Sequence, residues 1–527
     1  MRATSIGHAG ILIDTVDGSI VCDPWFLPAF RGSWCVFPRN DQLSSELMER
    51  IENPTYLYIT HLHADHLDEP WLTEHMNRDT TVLLPGYPTR EQERTLRGLG
   101  FRNIIRTTDG EELSLGARLN ITIHCETSIT DGPGGDSAMV VSDGTGRLVN
   151  QNDCRTTNLD ALRDHGPVDL HWLQYSGAIW YPMVYEETPE RMRELVDDKV
   201  EHQFSRAMRY VESIGARAVV PSAGPPAFLD PDLFGLNMIR GDELSIFPDQ
   251  RSFMDRLAAA GRHGILAVPG TEIAFGTDSP DPRGFTVTHP MSDRAVADIF
   301  EHKAEYLATY QRDWAGYLEA ERNSWAAPTP DLLATLRAWW APILAMAPTL
   351  RRAVGGCVVV HCLDEEQPLS IVIDFPAGEV REFAGEPHNY WFKINRRLVE
   401  TVAAERAVDW SDSLFLSARF RAWRSGPFNE FVYNFFKSLS AERMRRTEAE
   451  AQRKLDPDRG GIASEEIRLG NYLVERTCPH RQADLAVFGV LEGECTMVCS
   501  LHGWRFDLDT GECLTAHDRT LKVRRAD

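Results

Sequence analysis

Residues 55–72 read TYLYITHLHADHLDEPWL. A β-prone apolar run, TYLYIT (55–60), leads directly into H-x-H-x-D-H, formed by His61, His63, Asp65 and His66. Four metal-competent side chains within six residues at a strand end are a costly concentration of polarity, and a bound cation would offset it. The tightness of the turn lets His61 and His63 share one ion while Asp65 and His66 address a second. A merely solvated polar loop would not account for the strand that precedes it.

Outward from this stretch, residues 1–280 alternate short β-rich runs with turns and helical stretches. GILID (10–14), SIVCD (19–23), TTVLLP (80–85), LNITIH (119–124), SAMVVSD (137–143) and ARAVVP (216–221) are apolar runs bounded by Gly, Pro and Asp. Strands covered on both faces read this way. A helix over 186–215 follows the same logic, and the whole predicts an α/β sandwich with outer helices. Residues 281–455 form a helical and α+β middle region, with helices over 290–350 and then strands GGCVVVHC, LSIVIDF and NYWFKI. This stretch faintly resembles a sterol-carrier-like domain. A charged helix over 441–454 and a Pro/Gly/Asp linker at 456–461 precede a small all-β domain at 462–527.

Composition sets limits. The 527 residues predict about three or four domains. Hydrophobic residues at 43% and charged residues at 25% exclude wholesale disorder. A net charge of −23 argues against non-specific nucleic-acid binding. The longest apolar run, 338–348, is 11 residues long and contains Pro342, too short for a membrane span. No secretory leader is legible, and the ten cysteines are scattered as in a reduced cytoplasmic protein.

The first cluster resembles the signature of the metallo-β-lactamase superfamily, whose pattern continues with a His, a bridging Asp and a last His at strand ends. The resemblance implies His124, after LNITIH, and Asp153, after GRLVNQN, as further metal ligands beside the catalytic set His61, His63, Asp65 and His66. The last histidine is absent: its place reads Ser222-Ala223-Gly224. His171, His202 and Asp230 are candidates to replace it, although His171 reads equally as a packed core residue. Flavodiiron oxygen reductases carry Glu where this chain has His63, which disfavours that subfamily.

The C-terminal domain carries C-x-H, 18 intervening residues, and C-x-x-H. Cys478, His480, Cys499 and His502 closely resemble a Rieske [2Fe–2S] motif, with two thiolates on one iron and two imidazoles on the other. Zinc is the competitor for such a set. The places of the inter-loop disulfide of respiratory Rieske proteins are Gln482 and Leu501, which implies the oxygenase or ferredoxin type.

A one-electron relay has an obvious use beside non-heme iron, and imidazole and carboxylate suit iron as well as zinc. The combination resembles the CMP-N-acetylneuraminate monooxygenases. Asp23-Pro24-Trp25, PAFRGSW (28–34), THLHADHLD (60–68), LQYSGA (173–178) and VPSAG (220–224) carry the likeness, with the domain order reversed. It implies a monooxygenase with one or two iron ions, O2 as co-substrate, and electrons from NAD(P)H through an external reductase or ferredoxin-type donor. A C–H or N–H bond of a small molecule would be oxygenated, with amine N-oxygenation in natural-product synthesis as one option. The sequence is equally compatible with a relay inside one chain and with one across a homo-oligomer. A zinc-dependent hydrolase with a regulatory Rieske domain is the alternative, and a non-catalytic electron carrier is disfavoured by the retained metal ligands. Trp25, Phe26, Phe30 and Trp34 read either as a cover for the metal site or as core, and Tyr175 and Trp180 similarly. Arg31 and Arg39 read as solvated or as anion-binding.

Overall fold

The computed structural model describes residues 1–128, 134–177, 179–239, 244–279, 284–455, 465–480, 483–516 and 519–526. The linker at 456–461, Ala178 and Gln482, named above, lie outside them. The chain divides into two compact units.

The first unit comprises Met1–Thr127, Gly134–Ala178 and Val196–Glu319. It holds two facing sheets. One runs in the order Phe285–Thr288, Glu272–Phe275, Arg2–Gly7, Gly10–Thr15, Gly18–Cys22, Tyr56–Tyr58, Thr81–Leu84 and Ile104–Arg106. The other runs Ala218–Ser222, Leu170–Gln174, Arg147–Asn152, Asp136–Ser142, Asn120–Glu126 and Glu112–Ser114. Alternation within strands explains the layering, because successive side chains leave opposite faces. Ile11 and Ile13 join Ile121, Ile123, Met139, Val141, Leu170 and Trp172 between the sheets. Leu12 points the other way, into a cluster with Leu47, Ile51, Trp71, Leu72 and Leu96 of the outer helices. On the far side, Val140 and Val149 pack with Leu162 and Ile214. The result is an αββα sandwich of the metallo-β-lactamase type.

The sequence places the end of this domain at 280, but the unit continues to Glu319. The helices Asp293–Glu301 and Lys303–Ser324 account for the difference. Their Val296, Ile299, Phe300, Leu307 and Tyr310 bury against Cys35, Phe37, Ala227 and Leu229, so the apolar faces of these helices are satisfied only by the sandwich.

The second unit comprises Ser128–Pro133, Ile179–Leu195 and Ala320–Asp527. A five-stranded mixed sheet has the order Glu379–Glu382, Leu369–Asp374, Cys357–Leu363, Tyr390–Asn395 and Phe420–Arg424, accompanied by helices that include Leu332–Ala345 and Glu430–Phe436. Two three-stranded sheets follow: Glu466–Leu469, Tyr472–Glu475 and Val523–Arg525, then Gly489–Glu492, Thr496–Cys499 and Trp504–Asp507. No helix among the described residues is long and apolar enough to cross a membrane.

His171 lies fully buried in Leu170–Gln174, its Nε2 2.9 Å from Gln151 Oε1. Burial pushes its imidazole down to about 3. An unfolded histidine titrates near 6.5. Above that pH both states are neutral and stability is complete; below it only the unfolded chain gains the proton, until the folded ring also titrates near 3. Between pH 7 and pH 5 the wild type is therefore expected to lose about 2 kcal/mol more than His171→Gln. Equal losses in denaturant titrations of the two proteins would show that His171 does not carry this dependence.

Candidate metal centre

The strand Tyr56–Tyr58 delivers the chain into the loop that bears His61, His63, Asp65 and His66. His61 Nε2 and His63 Nδ1 face each other at 2.8 Å. Two ring nitrogens at that separation share either a proton or a metal ion. The other nitrogen of His61, Nδ1, lies 2.9 Å from Thr60 Oγ1 and 3.4 Å from Asp136 Oδ1. These contacts hold the ring with Nε2 turned to His63.

His66 is oriented by Asp23. Its Nδ1 lies 2.9 Å from Asp23 Oδ2, and the same carboxylate accepts from Thr60 N (2.8 Å), Thr60 Oγ1 (2.7 Å) and Asn152 Nδ2 (2.8 Å). A carboxylate on one ring nitrogen fixes the tautomer and leaves the other as a ligand. His66 Nε2 is accordingly buried without a hydrogen-bond partner, 3.8 Å from Asp65 Oδ2 and 3.6 Å from Asp153 Oδ1. Asp65 Oδ1 and Asp153 Oδ1 are also buried and unsatisfied. Such orphaned atoms cost about 1–3 kcal/mol each, and a cation at their convergence removes that cost. His61, His66 and Asp153 each bring one donor atom within 4.8 Å of the others, as do His8, Asp65 and His66. The donor set of imidazole and carboxylate thus fits iron or zinc.

Electrostatics separates the rings. Burial, reinforced by His66, His63 and His8, holds His61 well below its usual value. Burial opposes charge on His66 too, but Asp153, Asp65 and Asp23 outweigh it and push that imidazole well above. Burial pushes the Asp65 carboxyl up, and the His66 and His8 rings pull it down to about 2. The backbone is strained at the same place: His8, Asp23, Asn152 and Ala223 all have positive φ (51°, 44°, 51° and 48°) without being glycine. Such conformations persist only where the surroundings over-determine them.

The structure brings together His61, His63, Asp65, His66 and Asp153 from the expected set, but not His124. In Asn120–Glu126 the alternate residues Ile121 and Ile123 fill the space between the sheets, so His124 leaves from the opposite face. Its Nε2 meets His165 Nε2 at 3.0 Å, in a surface cavity of about 450 Å³ lined also by Asp109 and Cys125. His171 is in the core, and His202 bonds the Asp198 carbonyl on its own helix (2.7 Å). Asp230 Oδ1 accepts from Asp232 N (3.0 Å). Neither they nor Asp230 joins a ligand group among the described residues.

Trp25, Phe30 and Trp34 are buried, and Trp25 meets the His8 ring edge-on at 4.9 Å. Phe26 stacks on Trp71. Tyr175 stacks on Phe253, and Trp180 packs on Phe415 and Tyr433 in the second unit. Arg39 pairs with Asp41 (2.7 Å) and Asp313 (2.6 Å). Residues that the sequence reading missed are His8, Asp23 and Asn152.

In the second unit, Cys478 and His480 follow Tyr472–Glu475, and Cys499 and His502 form a turn after Thr496–Cys499. The turn closes through Gly503 N to Cys499 O (2.8 Å), and Gly503 has φ +73°, a conformation glycine adopts freely. Both cysteines are buried, and the His480 and His502 rings stand 4.8 Å apart and nearly perpendicular. His480 stacks on Trp504 at 3.8 Å. Two thiolates and two imidazoles on facing loops are the donor chemistry of a Rieske cluster. None of the ten cysteines is in a disulfide.

Fold and sites together define a metallo-β-lactamase-type sandwich joined in one chain to a Rieske iron–sulfur domain. A Rieske [2Fe-2S] domain profile matches residues 466–523, and the Rv3818-like, SCP2-like domain profile matches 332–453. A protein of Mycolicibacterium smegmatis that carries the name Rieske 2Fe-2S iron-sulfur protein is 40% identical over 534 residues, covering 100% of both chains. One of Mycobacterium tuberculosis is 41% identical over 535 residues, again over 100% of both. The chain belongs to this family of Rieske iron–sulfur proteins. The mouse cytidine monophosphate-N-acetylneuraminic acid hydroxylase is 25% identical over 237 residues, 42% of this chain and 39% of that one. Among solved structures, CmlA, a diiron β-hydroxylase from Streptomyces venezuelae, aligns over 51% of this chain and 53% of its own at 16% identity and a TM-score of 0.33. Igni18, a metallo hydrolase from Ignicoccus hospitalis, aligns over 55% and 99% at 15% identity and a TM-score of 0.35.

Proposed function

We propose that this chain is an oxygenase in which the Rieske cluster supplies electrons to non-heme iron held by His61, His63, Asp65, His66 and Asp153. The observation that carries the reading is the coexistence, in one polypeptide, of a one-electron cluster and a buried imidazole–carboxylate set with converging unsatisfied atoms. A hydrolytic zinc site has no use for electrons. Bound iron supplies oxygen activation. The net reaction inserts one oxygen atom of O2 into a C–H or N–H bond of a small molecule and reduces the other to water. It consumes two electrons and two protons, with the electrons coming from NAD(P)H through an external reductase or ferredoxin-type donor.

The chain's own residues prepare the site. Asp23 holds His66 in one tautomer, and Thr60 ties that carboxylate to the His61 ring. Trp25 closes the site on the His8 side and keeps bulk water from it. The likeness to the CMP-N-acetylneuraminic acid hydroxylases over part of the chain supports the class of reaction, and their substrate stays theirs.

The test is made on the full chain from iron-supplied cells. Its cluster is reduced anaerobically and mixed with O2, while iron, zinc and labile sulfide are assayed. Iron beyond that of the cluster, with fast O2-dependent reoxidation that zinc substitution at the N-terminal site suppresses, is the expected result. Zinc that persists under iron supply, with reoxidation indifferent to it, would overturn the reading in favour of a hydrolase.

A further inference from the structure

We infer that His8 is a metal ligand, completing the second position of the N-terminal centre together with Asp65 and His66. The inference rests on reading that centre as a two-metal site, but not on which metal fills it or on the reaction.

His8 lies far from the histidine cluster in sequence, in the tight hairpin between Arg2–Gly7 and Gly10–Thr15, where Gly7 pairs with Gly10. Gly7 has φ +110°, and a Cβ there would sit 2.7 Å from Val36 Cγ1, so the backbone is pressed against the adjoining loop. The turn throws the His8 ring inward. Its Nε2 is 3.1 Å from Asp65 Oδ2, which in turn is 3.8 Å from His66 Nε2, itself 3.6 Å from Asp153 Oδ1. Donor atoms about 2.0–2.2 Å from one ion stand about 3–4 Å from each other, and these separations have that size. His8, Asp65 and His66 bring their donors within 4.8 Å of one another, all three side chains being buried.

Three further facts set His8 apart from a packed histidine. It holds φ +51°, a conformation uncommon outside glycine that histidine tolerates better than most residues. Its carbonyl accepts from Ala223 N (2.9 Å), so it stands beside the Ser222-Ala223-Gly224 turn, which brings no metal-binding side chain of its own. Its Nδ1 is buried with no hydrogen-bond partner, so no carbonyl or carboxylate fixes the tautomer as Asp23 does for His66. Among the described residues the ring's hydrogen-bond partner is thus Asp65, a residue of the same cluster.

The test uses the full chain with its sulfur cluster intact, cleared of other metal by chelator and titrated with zinc. The wild type is expected to take two equivalents. His8→Gly, which suits the positive φ, is expected to keep the first and to bind the second at least ~100-fold more weakly, and free imidazole at millimolar concentration is expected to restore it. His8→Asn, whose side chain also tolerates that backbone, is expected to lose the second equivalent without rescue by imidazole. Two tight equivalents in both variants overturn the proposal. So does loss of both metals from variants that melt as the wild type does, because His8 would then serve the whole centre and not one position. None of these outcomes depends on oxygen consumption, so the ligand assignment and the oxygenase reading stand or fall separately.

Discussion

In a His61→Ala, His63→Ala chain, one metal position of the N-terminal centre is expected to empty while labile sulfide stays at the wild-type level. O2-dependent reoxidation of the reduced cluster is expected to slow by at least ~100-fold, because loss of direct ligands exceeds the 10–100-fold that changes to their supporting partners cost. The two imidazoles face each other at 2.8 Å, so removing both deletes one metal position outright. The other position keeps Asp65, His66 and Asp153, whose support from Asp23 does not pass through the substituted rings. One residual metal per chain is therefore consistent with the geometry. Labile sulfide measured in the same sample guards against general damage. Reoxidation at the wild-type rate would sink the idea that the cluster discharges through this centre.

The second large effect concerns Glu430. This residue starts the helix Glu430–Phe436 and is buried, with Arg519 Nη2 at 2.6 Å, Lys454 Nζ at 2.9 Å and the cluster ligand His480, through Nε2, at 3.8 Å. Burial pushes its carboxyl up, and Lys454, His480 and Arg519 together bring it down to about 2. Glu430→Gln takes the carboxylate from the buried Arg519, while Lys454 keeps Glu450 at 2.9 Å, and weakening a buried ion pair in this way is destabilising by up to about 3–5 kcal/mol. It also removes a negative charge beside the histidine-ligated iron. The oxidised cluster carries the greater positive charge and loses more by this. Its reduction potential is expected to rise on the order of 50 mV, with a lowered melting temperature. A redox titration that finds the potential unmoved in a destabilised protein would show that the carboxylate serves the fold and not the cluster.

What could be read from the sequence was what is local. His61, His63, Asp65 and His66 lie in one turn, and each pair of cluster ligands lies in a single loop, so spacing alone displays them. Asp153 could be found because it ends a strand that is plain in the sequence. His8 and Asp23 were hidden because each belongs to an ordinary-looking pattern, a Gly-flanked hairpin and an Asp-Pro after a strand. Their function arises only when sheet pairing carries them to the cluster. A histidine between two glycines that join two apolar runs was the available signal for His8. His124 failed for a physical reason: strand position was read but strand face was not, and a period of two assigns it away from the centre. Glu430 could not be found at all, since its meaning depends on a contact with a domain whose motif lies well downstream.

The strand Arg2–Gly7 sits inside its sheet, between Gly10–Thr15 and Glu272–Phe275. During synthesis its first neighbour emerges at once, but its second emerges about 270 residues later. At about 5–20 residues per second, one edge of the nascent sheet stays open for roughly 15–50 s. An unpaired edge of that kind is an invitation to pair with the wrong chain. The hairpin that bears His8 is thus among the first parts of the protein made and among the last to be fixed in place. Final assembly of the centre waits for a strand that contributes no ligand to it.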